Sequence, residues 1–383
     1  MPRRHLELLT EPPFDILSTL EKVDDAIDKN AEIAEAFLET GLKFAGLNAF
    51  SMENKSSFVT AGSGSGARSK PEWQGPVSAL EQEKAHSTIR QLFRDWSAEG
   101  KRERDACYGP VLRALDEEFS RIPDDEKGRV RVLVPGSGLG RSCFEIARSG
   151  YNAMGNEISY HQMIATLHML NRTTRVEQYE LYPWAHDFSN HLTRDDQLCR
   201  VLVPDVHPGT ELYSASVGKQ IPAYERLSME SCDFCAEYCK EKNRESCDAV
   251  ATIFFIDTAP NVLRYVEAVY NCLRVGGVWI NLGPLKWHFE NCAPGRKERK
   301  GSGDQEGEMR SEGADEMEDK GVGEPGSVEL TNDEVVLLVE QFGFKVERLE
   351  VMSIETGYIS NPRSMFSGTY RPSFWVARKV GVS

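Results

Sequence analysis

Across 383 residues no apolar run reaches the roughly 20 positions that a helix needs to cross a bilayer. The N-terminus also lacks the apolar core of a secretory signal. The chain is therefore expected to work without a membrane, in the cytoplasm, with the nucleus as a second compartment. Dense basic clusters are missing too. Sixty Asp and Glu stand against 45 Lys and Arg, and the net charge of −15 is spread along the sequence. An acidic surface repels phosphate backbones, so no nucleic-acid partner is expected. A second cysteine pair is absent as well. Cys232, Cys235 and Cys239 have the spacing C-x2-C-x3-C, with Cys247 next. A structural zinc site takes a further paired C-x2-C, and this segment falls where a strand end and a helix are expected. No metal is expected, and the nine cysteines read as reduced intracellular thiols.

What is present is concentrated in residues 130–157. Val-Arg-Val-Leu-Val-Pro-Gly-Ser-Gly-Leu-Gly-Arg leads into an apolar helix and then Tyr-Asn-Ala-Met-Gly-Asn-Glu, which reads as strand, glycine turn, helix and a second strand ending in an acid. Gly136 and Glu157 are 21 residues apart. A nucleoside cofactor needs this arrangement. Small residues let the backbone approach, a helix N-terminus offers N–H groups, and a carboxylate accepts from the ribose hydroxyls.

The surrounding chain divides in two. Apolar residues recur at helical spacing over 16–48, from Ile16 and Leu20 to Phe37 and Leu42, and further helices are expected at 79–98 and 102–121. Residues 61–70 read as a flexible insert. Residues 1–125 are thus expected to form a helical N-terminal region. From 130 onward strands and helices alternate: strands at Val130–Val134, Ala153–Glu157, Cys247–Ile256 and Val278–Leu282, helices at Arg141–Arg148, Tyr160–Asn171 and Asn261–Leu273, the last stopped by Gly276-Gly277. Such alternation implies a doubly wound, mostly parallel α/β sheet in a domain spanning 126–383. Residues 295–327 carry almost no large apolar side chain and are expected to be a disordered acidic insert. After it come a capped helix from Thr331 and two closing strands, Phe344–Ile354 and Ser373–Lys379.

The identity of the nucleoside follows from smaller signs. A dinucleotide fingerprint takes Gly or Ala at position 141, where this chain has Arg141. The form G-x-G-x-G points instead to S-adenosylmethionine. Glu157 stands where a ribose-binding acid belongs, although a strand-end acid can also be a plain solvated charge. Asp233-Phe234, ahead of the buried strand, offers an acceptor for the adenine amine and an aromatic ring to cover the base. Leu273-Arg-Val-Gly-Gly-Val-Trp-Ile resembles the Leu-x-Pro-Gly-Gly turn that enters strand five of class I methyltransferases, with Val275 in place of Pro. Val134 stands where many such enzymes carry an acid, which leaves open what holds the methionine amine.

Ligands of open α/β sheets bind beyond the carboxyl ends of the strands. Asp257 ends the run Thr252-Ile-Phe-Phe-Ile-Asp, and the next strand delivers Leu285-Lys-Trp-His288 to the same edge. A lone histidine is usually structural, but this one lies one strand over from Asp257 at the same end of the sheet. Asn-Pro-Pro-Tyr, used after this strand by amide and adenine N-methyltransferases, is absent, so those substrates are disfavoured.

Taken together, the glycine turn, Gly155-Asn-Glu-Ile-Ser, Leu181-Tyr-Pro-Trp-Ala-His-Asp-Phe-Ser-Asn190, Pro204-Asp-Val, Phe254-Phe-Ile-Asp-Thr-Ala259 and Ile280-Asn-Leu-Gly-Pro-Leu285 resemble the carnosine N-methyltransferase family from about residue 80 to the C-terminus, outside the acidic insert. The resemblance implies a seven-stranded, Rossmann-like class I methyltransferase sheet. It implies methyl transfer from S-adenosyl-L-methionine to the imidazole pros nitrogen of carnosine, leaving anserine and S-adenosyl-L-homocysteine. Gln91, Arg94, Gly136, Gly138, Glu157, Asp233, Phe234 and Ile253 are its implied cofactor contacts, with Arg94 on the methionine carboxylate. Asp257 and His288 are the implied imidazole pair, and Tyr358 and Tyr370 the tyrosines that close on the dipeptide. The partner is then a small dipeptide, and a homodimer stays open. Pro260 in place of an expected His, the acidic insert after His288, and Arg371-Pro-Ser-Phe depart from the family pattern and bear on the substrate. Open alternatives are a protein-histidine or other small-molecule N-methyltransferase, a non-catalytic cofactor-binding module and, more remotely, a dehydrogenase.

Overall fold

A computed structural model describes residues 1–46, 77–290 and 327–381. The insert expected at 61–70 lies outside these residues, as does the acidic insert but for its last residue. The elements begin with helices α1 (Arg3–Thr10), α2 (Ile16–Phe44), α3 (Ala79–Trp96) and α4 (Lys101–Glu118). Then come β1 (Arg131–Pro135), α5 (Arg141–Arg148), β2 (Asn152–Asn156), α6 (Tyr160–Asn171), β3 (Tyr179–Leu181), α7 (Arg194–Gln197), β4 (Val201–Val203) and α8 (Pro208–Ser214). The remainder is β5 (Leu227–Glu230), α9 (Phe234–Tyr238), β6 (Cys247–Ile253), α10 (Val262–Cys272), β7 (Leu273–Gly283), α11 (Asn332–Gln341), β8 (Phe344–Val351) and β9 (Ser373–Lys379). Among the described residues no helix is long and apolar enough to cross a membrane.

These elements gather into two compact units. A helical unit comprises residues 1–103, 160–211 and 358–368; a sheet unit comprises 104–159, 212–357 and 369–383. The units interleave along the chain, whereas the sequence reading drew one linear division at 125.

The helical unit holds α1, α2, α3 and α6 with the short antiparallel pair β3–β4. Its helices start where local chemistry says they should. Ser78 and Glu81 form a reciprocal capping box on α3, the Glu81 amide donating to Ser78 Oγ at 3.2 Å and the Ser78 amide to Glu81 Oε2 at 2.8 Å. Asn30 of α2 donates from Nδ2 to the Tyr182 carbonyl and accepts at Oδ1 from the Tyr182 amide, at 3.0 and 2.8 Å.

The sheet unit is built on seven strands in the order β5-β2-β1-β6-β7-β9-β8. Strands β5, β2, β1, β6 and β7 run parallel, and β9 is antiparallel to both neighbours. This is the class I methyltransferase topology, with the order reversing between β1 and β6, the point at which open α/β sheets bind ligands beyond the carboxyl ends of their strands. The strands are apolar because both faces are covered; Val132, Leu133, Ala249, Val250 and Ala251 are buried. Trp279 packs edge-on against Trp375 and Phe344, at 4.8 and 5.5 Å between ring centroids.

Two boundaries differ from the sequence expectation. The run expected as a strand to Ile256 stops at Ile253, because Phe254 turns into the left-handed region at φ 52°. Gly276-Gly277 does not stop α10, which ends at Cys272 and passes directly into β7. The glycines form an irregularity inside β7. Cys247 pairs with Leu273 and Ala249 with Val278, so extra residues must bulge out, and Gly276 takes φ 79° to allow it.

Candidate functional site

The glycine turn leaves β1 with three residues at positive φ: Gly136 at 62°, Gly138 at 57° and Gly140 at 74°, the last immediately before α5. At Gly136 a Cβ atom is excluded twice over, by the backbone angle and by Phe255, whose ring would lie 2.4 Å away. At Gly138 a Cβ would meet nothing within 4 Å, so the turn faces open space there.

Glu157, just past β2, is 6% exposed. It accepts the Gly138 amide at Oε2 and the Ser159 amide at Oε1, at 2.9 and 2.8 Å. Burial pushes its carboxyl above the ordinary range, and the amides of Ser159, Gly138 and Ile158 pull the other way. The acid and the turn are therefore one hydrogen-bonded cradle. A carboxylate has about four acceptor positions, so these amides leave it capacity to accept from a ribose hydroxyl. The cradle fits the sugar end of a nucleoside.

Asp233 follows β5 and caps α9, accepting the Ala236 amide at 2.9 Å. Asn156 Nδ2 donates to the Cys232 carbonyl at 2.9 Å, tying the ends of β2 and β5 together. Phe234 is 3% exposed, and its ring meets Phe255 and Tyr265 edge-on, both at 5.5 Å, within the core.

At the other side of the reversal point, Ile253 closes β6 in register with Leu282 of β7. Asp257 lies beyond the strand in a short turn, Ile256–Thr258, and is 4% exposed. Its Oδ2 accepts the Lys286 amide and its carbonyl accepts the His288 amide, both at 3.0 Å. Burial raises the Asp257 carboxyl above the usual carboxylate range; the Lys286 amide and nearby His288 oppose this. Asp257 thus anchors the segment that carries His288, whose side chain is exposed. Tyr370 pairs with Thr356 through two main-chain bonds and meets Phe254 edge-on at 5.9 Å.

Three expected residues lie in the helical unit. Gln91 is buried and accepts from Gln162 Nε2 at 2.8 Å. Arg94 pairs with Asp95 in bidentate fashion, Nε to Oδ1 at 2.7 Å and Nη2 to Oδ2 at 3.0 Å. Its guanidinium carbon also sits 4.7 Å from the Tyr358 ring centroid. The structure thus brings Gly136, Gly138, Glu157, Asp233, Ile253, Asp257, His288 and Tyr370 into the sheet unit, and gathers Arg94 with Tyr358 in the helical unit.

Sequence reasoning passed over Phe255, Asn156 and Asp95. Phe255 and Asn156 stand inside the strings that marked the family, so their strings were visible but their roles were not. Asp95, directly after a singled-out arginine, is a pairing signal that composition alone does not reveal. Among the described residues no group of three His, Cys, Asp or Glu is arranged to hold a metal ion.

A family model described as carnosine N-methyltransferase matches residues 71–381. A Schizosaccharomyces pombe protein named carnosine N-methyltransferase is 34% identical over 373 residues, 97% of this chain and 85% of its own length. A Rattus norvegicus protein of the same name is 37% identical over 304 residues, 79% of this chain. The matched part is 65% of the rat protein's length, just under two thirds. Among solved structures, a Haemonchus contortus phosphoethanolamine N-methyltransferase with S-adenosyl-L-methionine overlaps at a TM-score of 0.40, with 12% identity over 80% of this chain and 61% of that one, an overlap without functional weight.

Proposed function

The chain belongs to the carnosine N-methyltransferase family, and from that membership we propose that it transfers a methyl group from S-adenosyl-L-methionine to the pros nitrogen of the carnosine imidazole. The products are anserine and S-adenosyl-L-homocysteine, and related histidine-containing dipeptides and peptides are further substrates. No metal takes part in this reading. The observation that supports it best is Asp257, a buried carboxylate just beyond β6 whose main chain and side chain both hold the segment leading to His288.

When bound, the cofactor supplies an electrophilic methyl group on a sulfonium. Gly136, Gly138, Glu157 and Asp233 are assigned to its nucleoside end, Phe234 and Ile253 through their main chains, and Gln91 and Arg94 to its methionine end. The nucleophile is neutral imidazole, abundant near pH 7 given an ordinary pKa of about 6.5, so no strong base is required. What the protein must fix is the tautomer. Asp257 accepts the N–H of the far ring nitrogen, which leaves the lone pair of the pros nitrogen directed at the methyl group. As the ring gains positive charge, the same buried carboxylate stabilises it more strongly than an exposed one does. His288 holds the ring, and Tyr358 and Tyr370 grip the rest of the dipeptide. Orientation of this kind contributes about 7–11 kcal/mol in favourable cases.

The test is a labelled-methyl assay on carnosine, homocarnosine and histidine peptides, with the product position read by NMR. An Asp257→Ala variant is expected to bind S-adenosyl-L-homocysteine normally and to lose about 100-fold in kcat. Full activity of that variant on carnosine, or no methylation of any imidazole compound by the wild type, overturns the reading.

A further inference from the structure

The cation–π contact between Arg94 and Tyr358 depends on a residue that neither strand edges nor motifs point to. Tyr358 is 37% exposed and lies at the start of the stretch 358–368, which has no regular secondary structure of its own. A tyrosine in such a stretch keeps one position only if the main chain beside it is held. Glu103, in the first turn of α4, holds it. Its Oε1 accepts the Ile359 amide at 2.6 Å, and its Oε2 accepts the Ser360 amide at 3.3 Å and the Ser360 hydroxyl at 3.1 Å. Ile359 sits at φ 54°, a left-handed conformation that a β-branched residue adopts only when neighbouring bonds impose it. The far end of the stretch is tied separately, by the Met365 amide to the Asn190 carbonyl at 2.7 Å and by the Ser364–His191 bridge.

We propose that Glu103 is a positioning residue for the methyl transfer. By pinning the main chain of Ile359 and Ser360 it keeps the Tyr358 ring against the Arg94 guanidinium, so one contact sets both the arginine assigned to the cofactor and the tyrosine assigned to the substrate. This rests on the roles given to Arg94 and Tyr358 above. A contact shared by two ligand-binding groups couples them reciprocally: whatever orders the arginine also orders the tyrosine.

The experiment is a double-mutant cycle of Glu103→Ala with Tyr358→Leu, read by steady-state kinetics on carnosine and by calorimetry of S-adenosyl-L-homocysteine binding. Glu103→Ala is expected to raise KM about tenfold with kcat within about twofold, the loss of hydrogen bonds to a charged group. It is expected to weaken S-adenosyl-L-homocysteine about threefold, the loss of a partly exposed cation–π contact. In the Tyr358→Leu background both effects vanish, because Glu103 acts through that ring. Glu103→Gln, which keeps an acceptor oxygen and preserves folding, falls between wild type and Glu103→Ala. Additive effects in the double variant, or a fall in kcat with unchanged KM, overturn the proposal while leaving the assignment of Tyr358 intact. An unchanged KM in Tyr358→Leu alone overturns the assignment of Tyr358 and the role of Glu103 with it.

Discussion

In the sheet unit Glu157 is held by main-chain amides, among them Gly138 and Ser159, and Asp257 is likewise held by the amide of Lys286. In the helical unit Arg94 is held by side chains, the carboxylate of Asp95 and the ring of Tyr358. The first arrangement is set by the strand ladder and the glycine turn. It costs little side-chain entropy to maintain, because the amides are already fixed. The second depends on rotamers that must be chosen together, and on a loop main chain that Glu103 has to hold. The acids of the sheet are preorganised by the fold, whereas the arginine and tyrosine are preorganised by each other.

The strongest way to break this contrast is to disturb the ladder itself. Gly136→Ala places a Cβ 2.4 Å from the Phe255 ring and forces φ 62° on an L-residue. It is expected to cost about 2–4 kcal/mol of stability in chemical denaturation and to abolish measurable cofactor binding. Gly138→Ala meets only the angle, since its Cβ has nothing within 4 Å. It is expected to cost about 1–2 kcal/mol. Equal costs at the two glycines defeat the argument that Phe255 wedges the turn. Glu157→Ala comes next, with S-adenosyl-L-homocysteine binding weakened by about 1.5–3 kcal/mol in calorimetry, the worth of hydrogen bonds to a charged acceptor. Unchanged binding rejects the ribose role. Arg94→Lys keeps the charge and loses the bidentate fork on Asp95, so a smaller weakening, about 1 kcal/mol, is expected. If Arg94→Lys exceeds Glu157→Ala, the contrast between the two units is inverted.

The smallest effect concerns pH. Burial raises the Asp257 carboxyl, so between its ordinary unfolded value of 3.8 and its higher native value the folded protein holds a proton that the unfolded chain has released. Stability therefore falls as pH rises through that window, and the loss persists at neutral pH. Asp257→Asn removes the penalty and keeps an acceptor for the Lys286 amide. Its Tm is expected to exceed the wild-type Tm at pH 7, by a margin that shrinks as pH is lowered below the native value. A Tm below wild type at pH 7 shows that the ionised carboxylate is compensated by partners in the native state.

Much of the sheet unit was legible because its chemistry is local in sequence. Period and composition find β1, α5, β2 and β6, and the glycines, Glu157 and Asp257 stand at fixed offsets from those strands. Of the edge strand β5 only the end beside Cys232 was expected, because four residues that alternate between half-buried and exposed are too short a run to mark a strand. The glycine pair at 276–277 was misread because a helix stop and a strand bulge use the same residue for the same reason, freedom of φ. The packing of Phe234 was not legible because adjacency to an acid says nothing about which way a ring points; three neighbouring aromatic rings, Phe255, Tyr265 and Tyr238, surround it.

By itself the sequence determined the alternation of β1, α5, β2, α6, β6, α10 and β7, the glycine turn and its acid, and the motif strings that mark the family, because each depends on residues within a few turns of one another. Only the tertiary structure decided that Asp257 holds the segment bearing His288, that Phe255 closes the space beside Gly136, and that Arg94 meets a tyrosine 264 positions away. Those contacts join residues far apart in the chain, and their pairing follows from strand register and side-chain packing, which no local pattern encodes.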